Sequence, residues 1–336
     1  MNTYIKDIAY YLPATEVTNE AIVRDFPEWS VEKIASKIGV EKRHMAAENE
    51  TATDMAIKAA ECLFRNGNIK REEIDFVLFC TQSPDYKLPT SACIIQHQLG
   101  LRKDIGALDF NLGCSGYVYG LSLSKGLIMG GIASHVLLLT GETYNKYLHP
   151  RDKGNRTIFG DAASATVIST EGIAKIGEFC LGTDGSGADN LIVKSRGSRM
   201  PEKQDDIRFD ENGNPLSSDY LYMNGSEIFT FTLDNVPPLV NSTLVKNGLD
   251  KDKVNQYVFH QANKYMLNFL RKKLKIAPEQ FYYCLEQCGN TVSNSIPIAL
   301  REALDDGTIQ KGDNVLIAGF GVGYSWGGTV LDFTLK

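Results

Sequence analysis

The sequence reads Ile105-Gly-Ala-Leu-Asp-Phe-Asn-Leu-Gly-Cys114 and continues Ser115-Gly-Tyr-Val-Tyr-Gly-Leu-Ser-Leu-Ser-Lys125. The first run is apolar, as in a buried strand, and the second has helical spacing, so Cys114 is predicted to lie at a helix N-terminus. The unpaired N–H groups at that end of a helix favour the thiolate over the thiol, and the thiolate is the nucleophilic form. Cys114 is therefore a candidate nucleophile.

Strand-like and helix-like segments alternate along the chain, which predicts an α/β fold. In the first half, strands are predicted at 74–81, 107–112 and 135–140, and helices at 53–66, 90–99 and 115–129. In the second half, strands are predicted at 256–259, 281–286 and 314–319, and helices at 263–274 and 291–304.

The two halves also end alike. Phe159-Gly-Asp-Ala-Ala-Ser-Ala-Thr-Val-Ile-Ser-Thr is similar to Tyr324-Ser-Trp-Gly-Gly-Thr-Val-Leu-Asp-Phe-Thr-Leu, each a turn of small residues that leads into a strand. We interpret this as an internal duplication with halves 1–172 and 173–336. The polar stretch 195–219 lacks apolar periodicity, and we interpret it as a surface flap near a pocket.

Composition limits the function further. The chain has 336 residues, of which 43% are hydrophobic, and a net charge of -6, which argues against nucleic acid as the main partner. No apolar segment is long enough to span a bilayer, and the N-terminus lacks the pattern of a signal peptide. The seven cysteines stand in apolar contexts, which indicates reduced thiols and no metal site. We therefore expect a cytoplasmic protein.

Two polar residues join Cys114 as candidates. His260 stands in Val258-Phe-His260-Gln-Ala-Asn263 and Asn290 in Cys288-Gly-Asn290-Thr291, both predicted at strand ends of the second half. Ligands of open α/β sheets lie outside the carboxyl ends of strands, so these turns are expected to converge on Cys114. Taken singly, each has a structural alternative: a core cysteine, a buried histidine bonded to a carbonyl, and a helix cap. Together they indicate acyl-group chemistry.

Backbone donors for that chemistry are predicted in a glycine-rich loop, Gly319-Phe-Gly-Val-Gly-Tyr-Ser-Trp-Gly-Gly328. The loop lacks the features of a phosphate-binding loop, and it brings a backbone N–H close to the nucleophile to form an oxyanion hole. A Cys-His-Asn protease or thioesterase is a minor alternative, because the signature around the papain-like cysteine is absent.

These motifs resemble the thiolase superfamily and, within it, the beta-ketoacyl-acyl-carrier-protein synthase III family, over nearly the whole chain. The matching segments are Glu28-Trp29, Gly39-Val-Glu-Lys-Arg-His44, Asp109 to Gly120, Phe159-Gly-Asp161, Met223-Asn-Gly225 through Phe229, His260-Gln-Ala-Asn263, Gly289-Asn-Thr291 through Pro297, and Gly319 to Gly328. The resemblance implies two similar halves in an α-β-α-β-α arrangement.

The resemblance also implies a reaction. Cys114 takes an acyl group from acyl-CoA, malonyl-acyl-carrier protein loses carbon dioxide, and the enolate attacks the acyl-cysteine in a Claisen condensation. His260, from a ring N–H, and Asn290 stabilise the charge on the malonyl thioester oxygen, and the backbone N–H groups of Cys114 and Val322 hold the tetrahedral oxyanion. No cofactor is implied beyond these thioester substrates.

Binding residues are implied as well. Trp29 stacks on the CoA adenine, Asn263 lies near the pantetheine entrance, and Leu88 reaches across a homodimer interface into the acyl pocket. Lys37 and Lys153 stand where the family commonly has arginines that contact CoA, and Tyr265 replaces another basic residue. Lysine keeps the charge but lacks the bidentate geometry of arginine.

Basic residues of the predicted helix 263–274 and its end suggest where an acidic carrier protein docks, with a solvated helix face as the alternative. They are Lys264, Arg271, Lys272 and Lys275. The expected activity is thus an acyltransferase that starts fatty-acid chains. An acyltransferase or condensing enzyme of a specialised pathway is the alternative.

Overall fold

The computed structural model describes residues 2–211 and 213–333, and its helices and strands alternate along the chain. The strands are β1 (Tyr4–Tyr11), β2 (Thr15–Thr18), β3 (Lys42–Met45), β4 (Phe76–Cys80), β5 (Gly106–Phe110), β6 (His135–Glu142), β7 (Ala162–Ser169), β8 (Ala174–Ile176), β9 (Cys180–Thr183), β10 (Leu191–Ile192), β11 (Arg208–Phe209), β12 (Pro215–Leu216), β13 (Tyr222–Met223), β14 (Gln256–Phe259), β15 (Asn314–Gly321) and β16 (Ser325–Asp332). The α-helices are α1 (Asn19–Asp25), α2 (Val31–Lys37), α3 (Ala52–Arg65), α4 (Ser91–Gln98), α5 (Gly116–Met129), α6 (Lys153–Arg156), α7 (Gly225–Lys246), α8 (Lys264–Lys273) and α9 (Ser295–Asp305).

The pairing of the main strands repeats between the two halves. The sheet runs in the order β14-β15-β16-β8-β1-β7-β6-β4-β5, with β9 on β16. In the first half, β1 and β7 are antiparallel, β7 and β6 antiparallel, and β6 and β4 parallel. In the second half, β8 and β16 are antiparallel, β16 and β15 antiparallel, and β15 and β14 parallel. This repetition is the pattern of a duplicated fold.

Helices lie between and outside the two halves of the sheet. Leu121 of α5 and Leu300 of α9 share one apolar core with Ile8 of the first half and Val315 of the second. Helices α3 and α4 cover the outer face of the first half, through residues such as Met55. Helices α7 and α8 cover the outer face of the second half. The predicted α-β-α-β-α arrangement is therefore confirmed.

The strand predicted at 281–286 is wrong. Only Phe281 pairs, in a single parallel bridge with Tyr257. The next backbone groups are taken by a side chain, because the Gln261 amide accepts from the Cys284 N–H at 2.8 Å and donates to the Tyr282 carbonyl. These bonds replace the ladder that a strand would need, and the chain turns toward Asn290.

The helix predicted at 291–304 begins later than expected. A 3₁₀ turn, Val292–Asn294, comes first, and α9 starts at Ser295. Val292 has φ +57, in the left-handed region that branched side chains rarely adopt. The backbone therefore leaves the right-handed helix at this residue, and residues 290–295 form a separate segment, the 290–295 turn.

The polar flap 195–219 contains an antiparallel pair of short strands, β11 and β12. Its Phe209 packs edge-on against His149, with ring centroids 6.1 Å apart, and under the Arg151 guanidinium. The stretch is thus held against residues that follow β6. The predicted division at 172/173 falls in the turn between β7 and β8, and it stays a prediction.

Within residues 2–211 and 213–333, no helix combines the length and the apolar character needed to cross a membrane.

Candidate active site

Cys114 lies in the turn between β5 and α5, just before Gly116, the first helical residue. Its side chain is 6% exposed. The backbone groups of Val322 and of Cys114 itself lie near enough to favour the charged form of the thiol. Residues from the two halves of the chain therefore surround one sulfur atom.

Burial raises the pKa of the Cys114 thiol to about 12, although the hydrogen bond from Val322 lowers it. This pKa favours the protonated thiol at neutral pH, against the expected thiolate. A helix end contributes about 0.3–1 kcal/mol at an exposed site and up to about 2 kcal/mol in a partly buried one, which is less than the rise in pKa from 9.0 to about 12 represents. Here burial outweighs the helix end.

His260 follows β14 directly and is buried. Its Nδ1 lies 2.7 Å from the Ser295 hydroxyl, and the ring packs edge-on against Phe320 with centroids 5.8 Å apart. Burial lowers the pKa of His260 to about 3, against the hydrogen bond with the Val292 backbone, which raises it. The imidazole is therefore neutral at physiological pH.

Asn290 follows a turn rather than a strand, so its predicted place at a strand end is wrong. Its backbone pairs with Phe159 in an isolated bridge. The side-chain Oδ1 accepts the N–H of Val292 at 2.9 Å. This bond fixes the amide plane, so the orientation of the Nδ2 donor is also fixed.

Val292 connects the three candidate residues. Its side chain shares an apolar cluster with Cys114, its N–H binds Asn290, and its carbonyl accepts from the Ser295 hydroxyl at 3.0 Å, beside His260. The structure thus brings Cys114, His260 and Asn290 to one turn. Sequence patterns place each residue at the end of a segment, but they do not show that Val292 joins them.

The glycine-rich loop packs closely against Cys114. A Cβ atom added at Gly321 would lie 2.8 Å from both Cβ and Sγ of Cys114, closer than side chains tolerate. A Cβ atom at Gly319 would lie 2.8 Å from the Cys114 carbonyl oxygen. The absence of side chains at these two positions is what lets β15 approach Cys114 and present the Val322 N–H.

Glu142 and Ser293 are polar residues near this turn that the sequence reasoning missed. Glu142 ends β6 and is fully buried, and its Oε1 accepts from the Ser293 hydroxyl at 3.1 Å. The available signal was a carboxyl group that ends the apolar run Val136-Leu-Leu-Leu-Thr-Gly-Glu142. A charged residue type in a buried strand requires partners or protonation.

Comparison with known proteins identifies the family. Residues 108–185 match the model of 3-oxoacyl-[acyl-carrier-protein] synthase III, and residues 244–333 match the model of its C-terminal part. Beta-ketoacyl-[acyl-carrier-protein] synthase III of Clostridium perfringens (strain 13 / Type A) is 35% identical over 322 residues, 96% of each chain. The chain belongs to the 3-oxoacyl-acyl-carrier-protein synthase III family. The predicted activity, the condensation that initiates fatty-acid synthesis, is thereby confirmed at the level of the family.

Solved structures agree with this assignment. A 3-oxoacyl-(acyl-carrier-protein) synthase III crystal structure at 2.1 Å superposes with a TM-score of 0.97, at 48% identity, over 99% of this chain and 100% of that one. The 3-oxoacyl-(acyl-carrier protein) synthase of Burkholderia xenovorans LB400 has a TM-score of 0.90 at 37% identity, over 98% and 94% of the two chains. The synthase is therefore a condensing enzyme of the acyltransferase type.

The residues predicted to bind CoA surround one surface region of the synthase. Lys153 forms an ion pair with Glu28 at 3.2 Å, next to Trp29, and the Lys33 ammonium lies 4.6 Å from the centre of the Trp29 ring. Lys37 is exposed in the last turn of α2.

The start of α8 packs against this region. The Lys264 N–H donates to the Ile38 carbonyl at 2.8 Å, and the Lys264 side chain fills the space over Gly39. Asn263 caps α8, because its Oδ1 accepts the Met266 N–H at 2.8 Å. The structure thus joins the predicted CoA residues to the helix predicted to dock a carrier protein.

The predicted docking residues divide into two groups. Lys264, Lys272 and Lys275 are exposed. Arg271 donates to the Ile276 carbonyl at 2.9 Å and so stabilises the end of α8. The replacement Tyr265 is exposed and packs against Phe229, with ring centroids 5.7 Å apart.

Leu88 lies on the surface of the protein. It is 82% exposed, and Tyr86 beside it is 62% exposed. Strand β5 ends the sheet, so its outer edge has no strand partner among the described residues.

Among the residues that the structure describes, no cluster of three or more histidine, cysteine or acidic side chains could hold a metal ion.

Proposed function

We propose that this synthase catalyses a decarboxylating Claisen condensation of an acyl-CoA starter with malonyl-acyl-carrier protein, and that Cys114 carries the acyl group. The observation that carries the proposal is the meeting at Val292 of a buried cysteine, a neutral histidine and an oriented asparagine. We assign the backbone N–H groups of Cys114 and Val322 to the oxyanion hole, because both backbone groups act electrostatically on the sulfur atom that would carry the acyl group.

In the first half-reaction, the Cys114 sulfur attacks the acyl thioester, and the thiol proton must be transferred to an acceptor. The Ser295 hydroxyl uses its proton to donate to the Val292 carbonyl, so its oxygen is an acceptor toward His260 Nδ1. The Val292 backbone carbonyl is a second acceptor for the ring, and Nδ1 therefore carries the ring proton. The neutral ring then has its lone pair on Nε2. We assign Nε2 as the acceptor of the Cys114 proton, which it passes to the sulfur of the leaving CoA.

In the second half-reaction, the C–C bond to the malonyl carboxylate breaks, carbon dioxide leaves, and the electron pair becomes an enolate. Charge builds on the thioester oxygen, where Asn290 Nδ2 donates a hydrogen bond, and this developing negative charge favours a proton on Nε2 of His260, which then donates as well. The enolate carbon attacks the acyl-cysteine, and the Cys114 thiolate leaves and takes up that proton. His260 is thus a proton acceptor in the first half-reaction and a donor in the second.

The surface residues support the choice of substrates and partners. We assign Trp29, Lys37, Lys153 and Asn263 to CoA, and the exposed lysines of α8 to the acidic carrier protein. The outer edge of β5 and the exposed Leu88 fit a homodimer, in which Leu88 of one protomer closes the acyl pocket of its partner. The cytoplasm is the compartment that supplies acyl-CoA and malonyl thioesters.

The test is a two-step incubation. The protein is mixed with acyl-CoAs of increasing length, its intact mass is measured, and malonyl-acyl-carrier protein is then added and the product identified. We expect an acyl adduct that is lost in Cys114→Ala and a 3-oxoacyl product. The exposed Cys93 provides the control, since Cys93→Ser should keep the adduct. An adduct that persists in Cys114→Ala would show that the assigned nucleophile is wrong.

A further inference from the structure

The proposed steps leave one buried acid without a role. Glu142 is fully buried at the end of β6. Its two carboxyl oxygens accept the backbone N–H of Gln82 at 3.2 and 3.1 Å, and the hydroxyl groups of Ser83 and Ser293 lie 3.3 and 3.1 Å away. Three donors, the Gln82 N–H and two serine hydroxyls, hold this side chain, so its position is well defined.

One of these bonds reaches the 290–295 turn. Ser293 is the middle residue of the 3₁₀ turn whose first residue, Val292, binds Asn290 and lies beside His260. A second contact from β6 acts on the same turn, because the Thr140 hydroxyl hydrogen-bonds with the Asn294 side chain. Strand β6 therefore forms hydrogen bonds with the turn at Ser293 and Asn294. These residues directly follow Val292, whose positive φ is strained.

The other bonds of Glu142 reach the nucleophile. Gln82, whose N–H the carboxyl group accepts, places its Oε1 2.6 Å from where a Cβ atom of Gly113 would lie, directly before Cys114. The Tyr144 hydroxyl donates to this Oε1 at 2.5 Å, and Tyr144 packs in the same cluster as Cys114. Glu142 thus contacts both the segment that carries Asn290 and the lining of the Cys114 turn.

We propose that Glu142 is a positioning residue, whose protonated carboxyl group ties the 290–295 turn to the Cys114 half and whose loss of the proton slows acylation of Cys114. Ser293 is its contact on the turn, and Gln82 its contact beside the nucleophile. This inference rests on the proposed acylation of Cys114.

The charge argument gives the sign of the effect. Burial raises the pKa of Glu142 to about 8, although the bonds from Gln82, Ser293 and Ser83 lower it. The other titratable groups that interact with it are acidic side chains, which are either neutral or negatively charged. They are Cys80 of β4, Cys114, Tyr144, Tyr147 and Asp161. A negative charge on Glu142 therefore opposes the negative charge that develops on the Cys114 sulfur.

The test is the pH profile of Cys114 acylation by the acyl-CoA that acylates the wild-type protein, from pH 6 to 9.5. We expect the wild-type rate to fall above about pH 8, by about tenfold per pH unit where only the protonated form is active. Glu142→Gln keeps the shape and lacks the charge, so it should act at pH 7 and lose this alkaline fall. Glu171→Gln, at an exposed acid paired with Lys6, should keep the wild-type profile.

Ser293→Ala gives a second measurement that does not depend on the folding of Glu142→Gln. The Ser293 hydroxyl lowers the pKa of Glu142, so its removal should move the alkaline fall to higher pH. Profiles of Glu142→Gln or Ser293→Ala that coincide with the wild-type profile would overturn the inference.

Alkylation of Cys114 by iodoacetamide, followed by peptide mass, separates the two proposals because it needs no acyl substrate. Above pH 8, the wild-type protein should be alkylated more slowly than Glu142→Gln, with each rate taken relative to the same protein at pH 7. This result supports the role of Glu142 even where no acyl-CoA reacts. The absence of an acyl adduct in the wild-type protein overturns the proposed function instead. Equal alkylation of the two proteins at every pH overturns the role of Glu142.

Discussion

The interior around Cys114 and the surface around α8 are built on different principles. In the interior, Cys114, His260, Asn290 and Glu142 are buried, and hydrogen bonds hold the side chains of the last three. On the surface, Lys264 and Lys272 are exposed side chains. In the interior, burial changes the protonation of the groups, whereas on the surface water screens their charges. Substitutions inside should therefore change the chemistry, and substitutions on the surface should change only the encounter with substrates.

The largest effects should separate the two half-reactions. Asn290→Ala removes the proposed donor to the enolate, so decarboxylation should fall by about 10²–10³-fold while acylation of Cys114 changes much less. His260→Ala also removes the proposed proton acceptor, so both half-reactions should slow. Acylation is followed by intact mass and decarboxylation by carbon dioxide release from malonyl-acyl-carrier protein. Equal loss of both steps in Asn290→Ala would contradict this division.

A smaller but still large effect is expected at Gly321. Gly321→Ala places a methyl group 2.8 Å from the Cys114 sulfur and shifts the Val322 N–H, so acylation should fall by at least about tenfold. Overpacking of this kind also destabilises a protein by about 1–3 kcal/mol. Initial rates and thermal unfolding measure the two effects.

The matched control for that variant lies in α5. A Cβ atom at Gly126 has no neighbour within 4 Å, so Gly126→Ala should leave activity unchanged and stabilise the helix by about 0.5–1 kcal/mol. If both alanine variants lost activity alike, the close approach of β15 to Cys114 would not be the cause.

The third effect concerns stability rather than rate. The pKa of Glu142 lies at about 8 in the folded protein because of burial, above its ordinary value of 4.5. The folded state therefore binds the proton more tightly than the unfolded chain does. Its contribution to stability is fully present below pH 4.5 and is lost as pH rises to about 8, by about 1.4 kcal/mol per pH unit.

Thermal unfolding between pH 5 and 9 checks this dependence. Glu142→Gln has no such proton, so its Tm relative to the wild-type protein should rise with pH and level off above about 8. His260 contributes in the opposite direction, since burial lowers its pKa to about 3 and its contribution is lost as pH falls below 6.5. A constant Tm difference between Glu142→Gln and the wild-type protein would contradict the buried proton.

The same contrast explains what the sequence predicts and what it does not. Segments such as β14 and α5 are evident in the sequence because their own residues supply the apolar pattern. The strand at 281–286 fails because Gln261, a side chain from another turn, takes its backbone groups. The helix N-terminus at Cys114 is correctly predicted, whereas the thiolate is not, because burial depends on Val292 and Tyr144 from distant parts of the chain. Glu142 is missed for the same reason, since its partners come from the loop after β4 and from the 290–295 turn.

The smallest effect is expected on the surface. Lys272→Glu reverses one exposed charge of α8, and an exposed ion pair contributes about 0.2–1 kcal/mol. The KM for malonyl-acyl-carrier protein should therefore rise by about twofold to fivefold with kcat unchanged, and added salt should reduce the difference. Lys311→Glu makes the same change at an exposed residue outside α8 and should have no such effect. If Lys272→Glu lowered kcat, or if both variants raised KM equally, α8 would not be a docking surface. The distinction between an interior that performs the chemistry and a surface at α8 that only binds substrates would then not hold.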